Sequence, residues 1–353
     1  MECLKKFLES VSLTLGHHLD RPIGSVVHKP REAELTRGAP SEIPEHNKLY
    51  AASDDCMKLA HRATIPLSSD DVYSEGMSCF APGKIILSGE YAVLFGYAGI
   101  AIPSSLGVEA VFEIDPACER VEILAEGRDA RSISYTEKIA TLAQKDADLR
   151  GRLTVHSDLP LGKGMGSSTA LIIAVVRALL GDDAREVALQ IEDTLNPGHS
   201  GLDFATIWGN APLLFRKGDV PHKIRLQSDL LRESVLIDTG FPSESTTELV
   251  AWVRGRESEI REPLKIIGEC TQRLASGEPL LDVMRDHHKA QVALGVVPES
   301  VQELVAAIEK IGGSAKVIGA GGRTGGAGMV LALGNQQKIM EIANQRRMPA
   351  SIL

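Results

Sequence analysis

The stretch Asp158-Leu-Pro-Leu-Gly-Lys-Gly-Met-Gly-Ser-Ser-Thr-Ala170 constrains this chain more than any other. Gly162, Gly164 and Gly166 alternate, Ser167-Ser168 follow, and TALIIAVVRALL then runs from Thr169 to Leu180 as an unbroken helix-forming segment. Glycines let a loop turn its backbone N–H groups inward, and a helix starting there adds unbonded N–H groups and the positive end of its dipole. Two readings follow: an anion site suited to a polyphosphate, with hydroxyls reaching a phosphate-bound metal, or a glycine turn with a serine N-cap. Under either reading the helix is apolar nearly all round and belongs inside its domain.

The rest of the chain narrows the choices. At 353 residues there is room for two domains, and 43% hydrophobic with 24% charged residues is an ordinary globular composition. The formal net charge of −9 opposes a general nucleic-acid binder, which needs a basic surface. The five cysteines are scattered and form no CxxC pair, so neither a disulfide framework nor a zinc site is expected, and a reducing cytoplasm fits. No apolar run of about 18 residues offers a membrane span. The pairs His17-His18 and His287-His288 lack partner ligands at helical spacing and read as solvated.

Residues 1–77 carry one amphipathic segment and then scattered prolines and charges, and are expected to be a weakly ordered or appended extension. The pattern sharpens from Ser78. Short apolar runs over 81–96, 98–114 and 121–125 read as strands, 136–150 as an exposed helix, and a strand near Leu153 feeds the glycine loop. A helical stripe of Ala184, Val187, Ala188, Ile191 and Leu195 carries Glu192 beside it, and the turn-rich Asn196–Thr206 carries Asp203 into an apolar run, Ile207–Phe215. Local sequence leaves Glu192 as a solvated carboxylate or a ligand, and Asp203 as a turn residue or a catalytic one. Polar residues 216–230 mark a domain crossing, followed by strands near 234–239, 315–318 and 329–333 with helices between, which suggests an α+β sandwich. The expected boundaries are 78–222 and 223–353.

The Walker pattern GxxxxGK[ST] is absent, and the glycines from Gly319 to Gly328 precede a strand rather than a helix, which opposes a dinucleotide fingerprint. What remains resembles the GHMP superfamily of small-molecule kinases, named for galactokinase, homoserine kinase, mevalonate kinase and phosphomevalonate kinase, and its mevalonate kinase branch most. The resemblance rests on Ala81-Pro-Gly-Lys84 with Gly89-Glu90-Tyr91, on Pro160–Ala170, on Ser200-Gly-Leu-Asp203, on Asp238-Thr-Gly-Phe-Pro242 and on Lys316–Gly322.

That resemblance implies a two-domain α+β fold, an N-terminal domain of the ribosomal-protein-S5 type and a ferredoxin-like C-terminal domain, with the site between them. It implies Asp203 as the base and Lys84 as the cation that stabilises the transferred phosphoryl, with Ser168 and Glu192 as Mg²⁺ ligands. ATP phosphates would lie on Gly162, Lys163, Gly164, Gly166, Ser167 and Ser168, bordered by Gly321 and Gly322. The implied reaction is ATP-dependent phosphorylation of mevalonate to 5-phosphomevalonate, in a chain with no nucleic-acid or membrane partner and room for a homodimer. Phosphomevalonate kinase, another GHMP kinase, and a non-catalytic nucleotide or metabolite-binding regulator are the alternatives. Tyr91, His199, Phe204 and Arg323-Thr324 depart from the mevalonate kinase pattern and bear on the acceptor. Lys163, Arg254 and Arg323 are the candidates for a basic pocket that a phosphorylated acceptor would require.

Overall fold

The computed structural model describes residues 76–124, 130–145, 148–226 and 234–353, all within one compact unit. The expected extension lies, but for its last two residues, outside the described residues. A first sheet holds β1 (Met77–Ser88), β2 (Gly99–Ile114), β3 (Val121–Leu124), β4 (Gly151–Ser157), β5 (Leu213–Phe215) and β6 (His222–Lys223). Its order is β3-β4-β2-β5-β6, with the long β2 pairing β1 along one side and β4 and β5 along the other. The second sheet, β7 (Val235–Asp238), β8 (Ser314–Val317), β9 (Met329–Leu333) and β10 (Ala350–Ile352), is antiparallel in the order β10-β7-β9-β8.

Helices complete the two layers. In the first half, α1 (Ala130–Ala143), α2 (Ser167–Leu180), α3 (Arg185–Leu195) and α4 (Leu202–Gly209) lie in sequence after β3. Helix α2 buries Thr169 to Val176, Ala178 and Leu179, as its all-round apolar sequence requires, and packs on β1 and β2. In the second half come α5 (Thr246–Arg254), α6 (Arg261–Ala275), α7 (Leu280–Leu294), α8 (Glu299–Lys310) and α9 (Gln336–Gln345). Sequence chemistry starts α5 directly: Ser245 Oγ accepts from Glu248 N while Glu248 Oε2 accepts from Ser245 N at 2.8 Å, a reciprocal capping box.

The halves meet where α6 and α7 pack against the end of β1 and the 3₁₀ turn Ala92–Phe95. Gly268 on α6 permits this approach, since a Cβ there would stand 2.3 Å from the Tyr97 ring. Two expectations change here. Leu202–Gly209 form a helix where a turn-rich segment through Thr206 running into an apolar stretch from Ile207 was expected, and the exposed helix expected over 136–150 occupies Ala130–Ala143. Among the described residues no helix is long and apolar enough to cross a membrane.

Candidate active site

The glycine loop delivers α2 with its first turn uncapped by any side chain. Gly162, Gly164 and Gly166 all have positive φ, and Gly166, at φ 75°, is itself the N-cap. The serine N-cap reading is therefore set aside: Ser167 and Ser168 stand inside the first turn, leaving its N–H groups to the loop side. The loop also rests on the other half of the molecule. A Cβ on Gly319 would come within 2.7 Å of Gly164 Cα, and Met329 N donates to Lys163 O at 3.0 Å.

Lys84 reaches this place from β1, its backbone N donating to Met165 O at 2.9 Å. Its side chain is only 3% exposed and passes under Gly166, where an added Cβ would stand 3.0 Å from Lys84 Cγ and from Ile207 Cδ1. The ammonium ends 3.3 Å from the carboxylate of Asp203, which is 35% exposed in the first turn of α4. Residues 119 positions apart thus form one ion pair open to solvent on its acidic side. Gly166→Ala is expected to cost about 1–3 kcal/mol from backbone strain at positive φ, and to lower turnover by displacing Lys84. Thermal melting and kcat measured on the same preparation check both.

Ser168 and Glu192 are brought together by a residue that sequence reasoning missed. Asn196 Nδ2 donates to Ser168 Oγ and to Glu192 Oε2, each at 3.1 Å. Thr169 Oγ1 donates to Glu192 Oε1 at 2.9 Å, and Tyr135 lies 2.5 Å from Ser168 Oγ. Glu192 is 2% exposed, not solvated. Burial pushes its carboxyl above the usual range and Asp203 adds to this, against the hydrogen bonds from Thr169 and Asn196. Position Asn196 at the C-cap of α3 was visible in the sequence, but nothing local aimed it at Ser168.

The remaining site residues are placed as follows. Lys163 pairs with Asp238 at the end of β7 and lies 4.6 Å from the exposed Phe241 ring. Gly321 and Gly322 turn into the second half, where Gly322 N donates to Val296 O at 3.0 Å. Arg323 stacks on Trp252 at 4.5 Å, and Arg254 donates to Gly198 O at 3.3 Å. Tyr91 holds an unusual φ of 60°, and its hydroxyl donates to Ala320 O at 2.5 Å.

His287 and His288 correct the solvated reading. They are 0% and 7% exposed, because both fall within the buried face of α7 with Leu280, Val283, Met284 and Leu294. Burial holds His288 neutral, at about 4 instead of 6.5. The unfolded chain takes up a proton there near pH 6.5 and the folded chain only near 4, so stability falls as pH drops through that window, by about 3 kcal/mol. Burial opposes the charged form of Glu90, but Lys316 and His287 outweigh it and hold the carboxyl at about 2, so a further loss is expected below pH 4.5. Urea melts at pH 7 and pH 4.5 test this, with His288→Gln expected to flatten the difference.

Comparison with known proteins bears on this geometry. The family of GHMP kinases, N terminal domain, matches residues 134–210, which hold the glycine loop, Ser168, Glu192 and Asp203. A mevalonate kinase of Archaeoglobus fulgidus is 29% identical over 269 residues, 70% of this chain and 89% of that one. Over the segment that holds these residues, the chain is similar to GHMP kinases. A Mus musculus mevalonate kinase is 28% identical, over 77% of this chain and 90% of its own length. Among solved GHMP kinase folds, the Methanococcus jannaschii mevalonate kinase superposes with a TM-score of 0.64 at 18% identity, covering 78% of this chain and 97% of that one. The L. major mevalonate kinase in complex with R-mevalonate gives 0.63 at 20%, covering 79% and 93%. The α+β architecture expected for this superfamily is the one found.

Proposed function

We propose that this chain transfers the γ-phosphoryl group of ATP to the hydroxyl of mevalonate, giving 5-phosphomevalonate. The observation that carries the proposal is the Lys84–Asp203 pair, 3.3 Å apart and adjoining the uncapped start of α2. Gly162, Lys163, Gly164, Gly166 and Ser167 are assigned to the ATP phosphates, with Gly321 and Gly322 shaping the border. Asp203, the solvent-facing carboxylate, accepts the hydroxyl proton, and Lys84, paired with it at 3.3 Å, places its charge by the oxygen that attacks. Phosphoryl transfer needs mostly this positioning and charge.

The residues present fit Mg²⁺. Among the described residues no three His, Cys, Asp or Glu side chains form a metal cluster, and Mg²⁺ ordinarily takes one or two protein oxygens with phosphates and water. Ser168 and Glu192 supply those oxygens, joined through the Asn196 carboxamide, which donates to both. When bound, Mg²⁺ neutralises phosphate charge; the chain's part is to hold Ser168 and Glu192 in place through Asn196 and Thr169.

Mevalonate is preferred to a phosphorylated acceptor on two grounds. The mevalonate kinases of A. fulgidus and Mus musculus are matched over most of their own length. Of the basic side chains considered for a second phosphate, Lys163 is already assigned to ATP, Arg323 lies against Trp252 and Arg254 donates to Gly198 O. Residues 78–222 are proposed as the ATP-binding domain, 223–353 as the second domain, and 1–77 as an appendage. A cytoplasmic homodimer follows the same resemblance, and light scattering at one subunit mass would remove the dimer. ADP formation from Mg·ATP with mevalonate, phosphomevalonate, homoserine or galactose tests the activity; silence with all four would point to a binding protein.

A further inference from the structure

The phosphoryl-transfer geometry does not use the buried charges nearby. Lys316, on β8, is 0% exposed, donates from Nζ to Ile86 O at 3.0 Å and pairs with the carboxylate of Glu90. His287, from α7, closes the group, its Nε2 3.0 Å from Glu90 Oε2 and 3.4 Å from Gly89 N. Glu90 and Lys316 are 226 positions apart, so this is long-range construction across the seam.

Stability does not explain such a cluster. Removing charges from water offsets much of their attraction, and apolar residues of equal volume often hold a core as well or better. Placement is the more telling feature. Ile86 stands two residues beyond Lys84 on β1, and Glu90 precedes Tyr91, whose hydroxyl donates to Ala320 O. Lys316 itself stands three residues before Gly319, whose backbone rests on Gly164 of the glycine loop. One ammonium therefore holds the far end of the catalytic strand and the root of the turn that supports the loop.

We infer that Lys316 is a positioning residue for phosphoryl transfer, fixing β1 beyond Lys84 and the Gly319 turn in one register so that the catalytic ammonium and the phosphate loop stay aligned. The inference rests on the kinase reading of Lys84. It implies that the charge acts on turnover more than on nucleotide affinity, because a displacement of about 1 Å at a reacting group can cost about 100-fold in rate while binding contacts survive.

The test removes the ion pair without stranding a charge. In Lys316→Met/Glu90→Gln, assayed as the full chain with Mg·ATP and mevalonate, kcat is expected to fall about 10–100-fold with KM for ATP within about 3-fold of wild type. Wild-type kcat in the folded double variant, or a raised KM at unchanged kcat, would overturn the inference. Should the double variant not fold, Lys316→Gln, which keeps a donor near Ile86 O, is expected to show a smaller loss of kcat at unchanged KM; wild-type kcat there would overturn it equally. A wild-type enzyme with no turnover on any acceptor would instead remove the kinase reading, and this role with it.

Discussion

Asp203→Asn is expected to lower kcat by about 10²–10⁴, leaving the KM for ATP within a few-fold of wild type. The carboxamide keeps the shape of the side chain and an oxygen facing Lys84, but it cannot accept a proton. Loss toward the lower end is expected if proton transfer lags behind bond breaking to the leaving group, as in a loose transition state. Stability should change less than the ~3–5 kcal/mol of a fully buried broken pair, because Asp203 is 35% exposed and water reaches the site. ATP should bind nearly as before, since Asp203 lies on α4 and not in the glycine loop. Steady-state kinetics with a melting curve separate these effects, and near-wild-type kcat would remove Asp203 from the base role.

Lys84→Met carries the second large effect, a fall in kcat of about 10²–10³ from loss of a preorganised cation whose own side chain is only 3% exposed. Methionine fills the passage beneath Gly166 and beside Ile207 with nearly the same volume, so the fold should persist. Because Lys84 and Asp203 form one pair, the double variant Lys84→Met/Asp203→Asn should be little worse than the more damaged single variant. Multiplicative losses, measured as kcat in the four-member cycle, would mean that the two groups act separately.

Much of this site was legible because its chemistry is local. Alternating glycines ahead of an all-apolar segment define both the loop and the helix it starts, and α2 begins at Ser167, two residues before the expected start. Asp203 was found by its motif, while its helix was not: eight residues from Leu202 to Gly209 give too few turns for periodicity to separate a short buried helix from an apolar strand. The seam was the least legible part. Glu90 and Lys316 lie within the motifs but have no role legible there, since nothing in either segment says that the other packs against it from 226 positions away. His287 illustrates a wrong prior. Histidine is usually partly exposed, yet the helical stripe from Leu280 through Val283, Met284 and Gln291 already placed it on the buried face.

The acceptor was legible only by family, because the glycine loop faces the nucleotide. The structure adds the pairing of Lys163 with Asp238, which satisfies a cation that the sequence left available. The most direct measurement is kcat/KM of the full chain for mevalonate and for phosphomevalonate under saturating Mg·ATP, with the phosphorylated product identified by mass. Turnover of mevalonate to a monophosphate, with phosphomevalonate slower by at least about 100-fold or about 2.7 kcal/mol in transition-state stabilisation, is the expected result. Turnover of phosphomevalonate alone, or of neither, would contradict it.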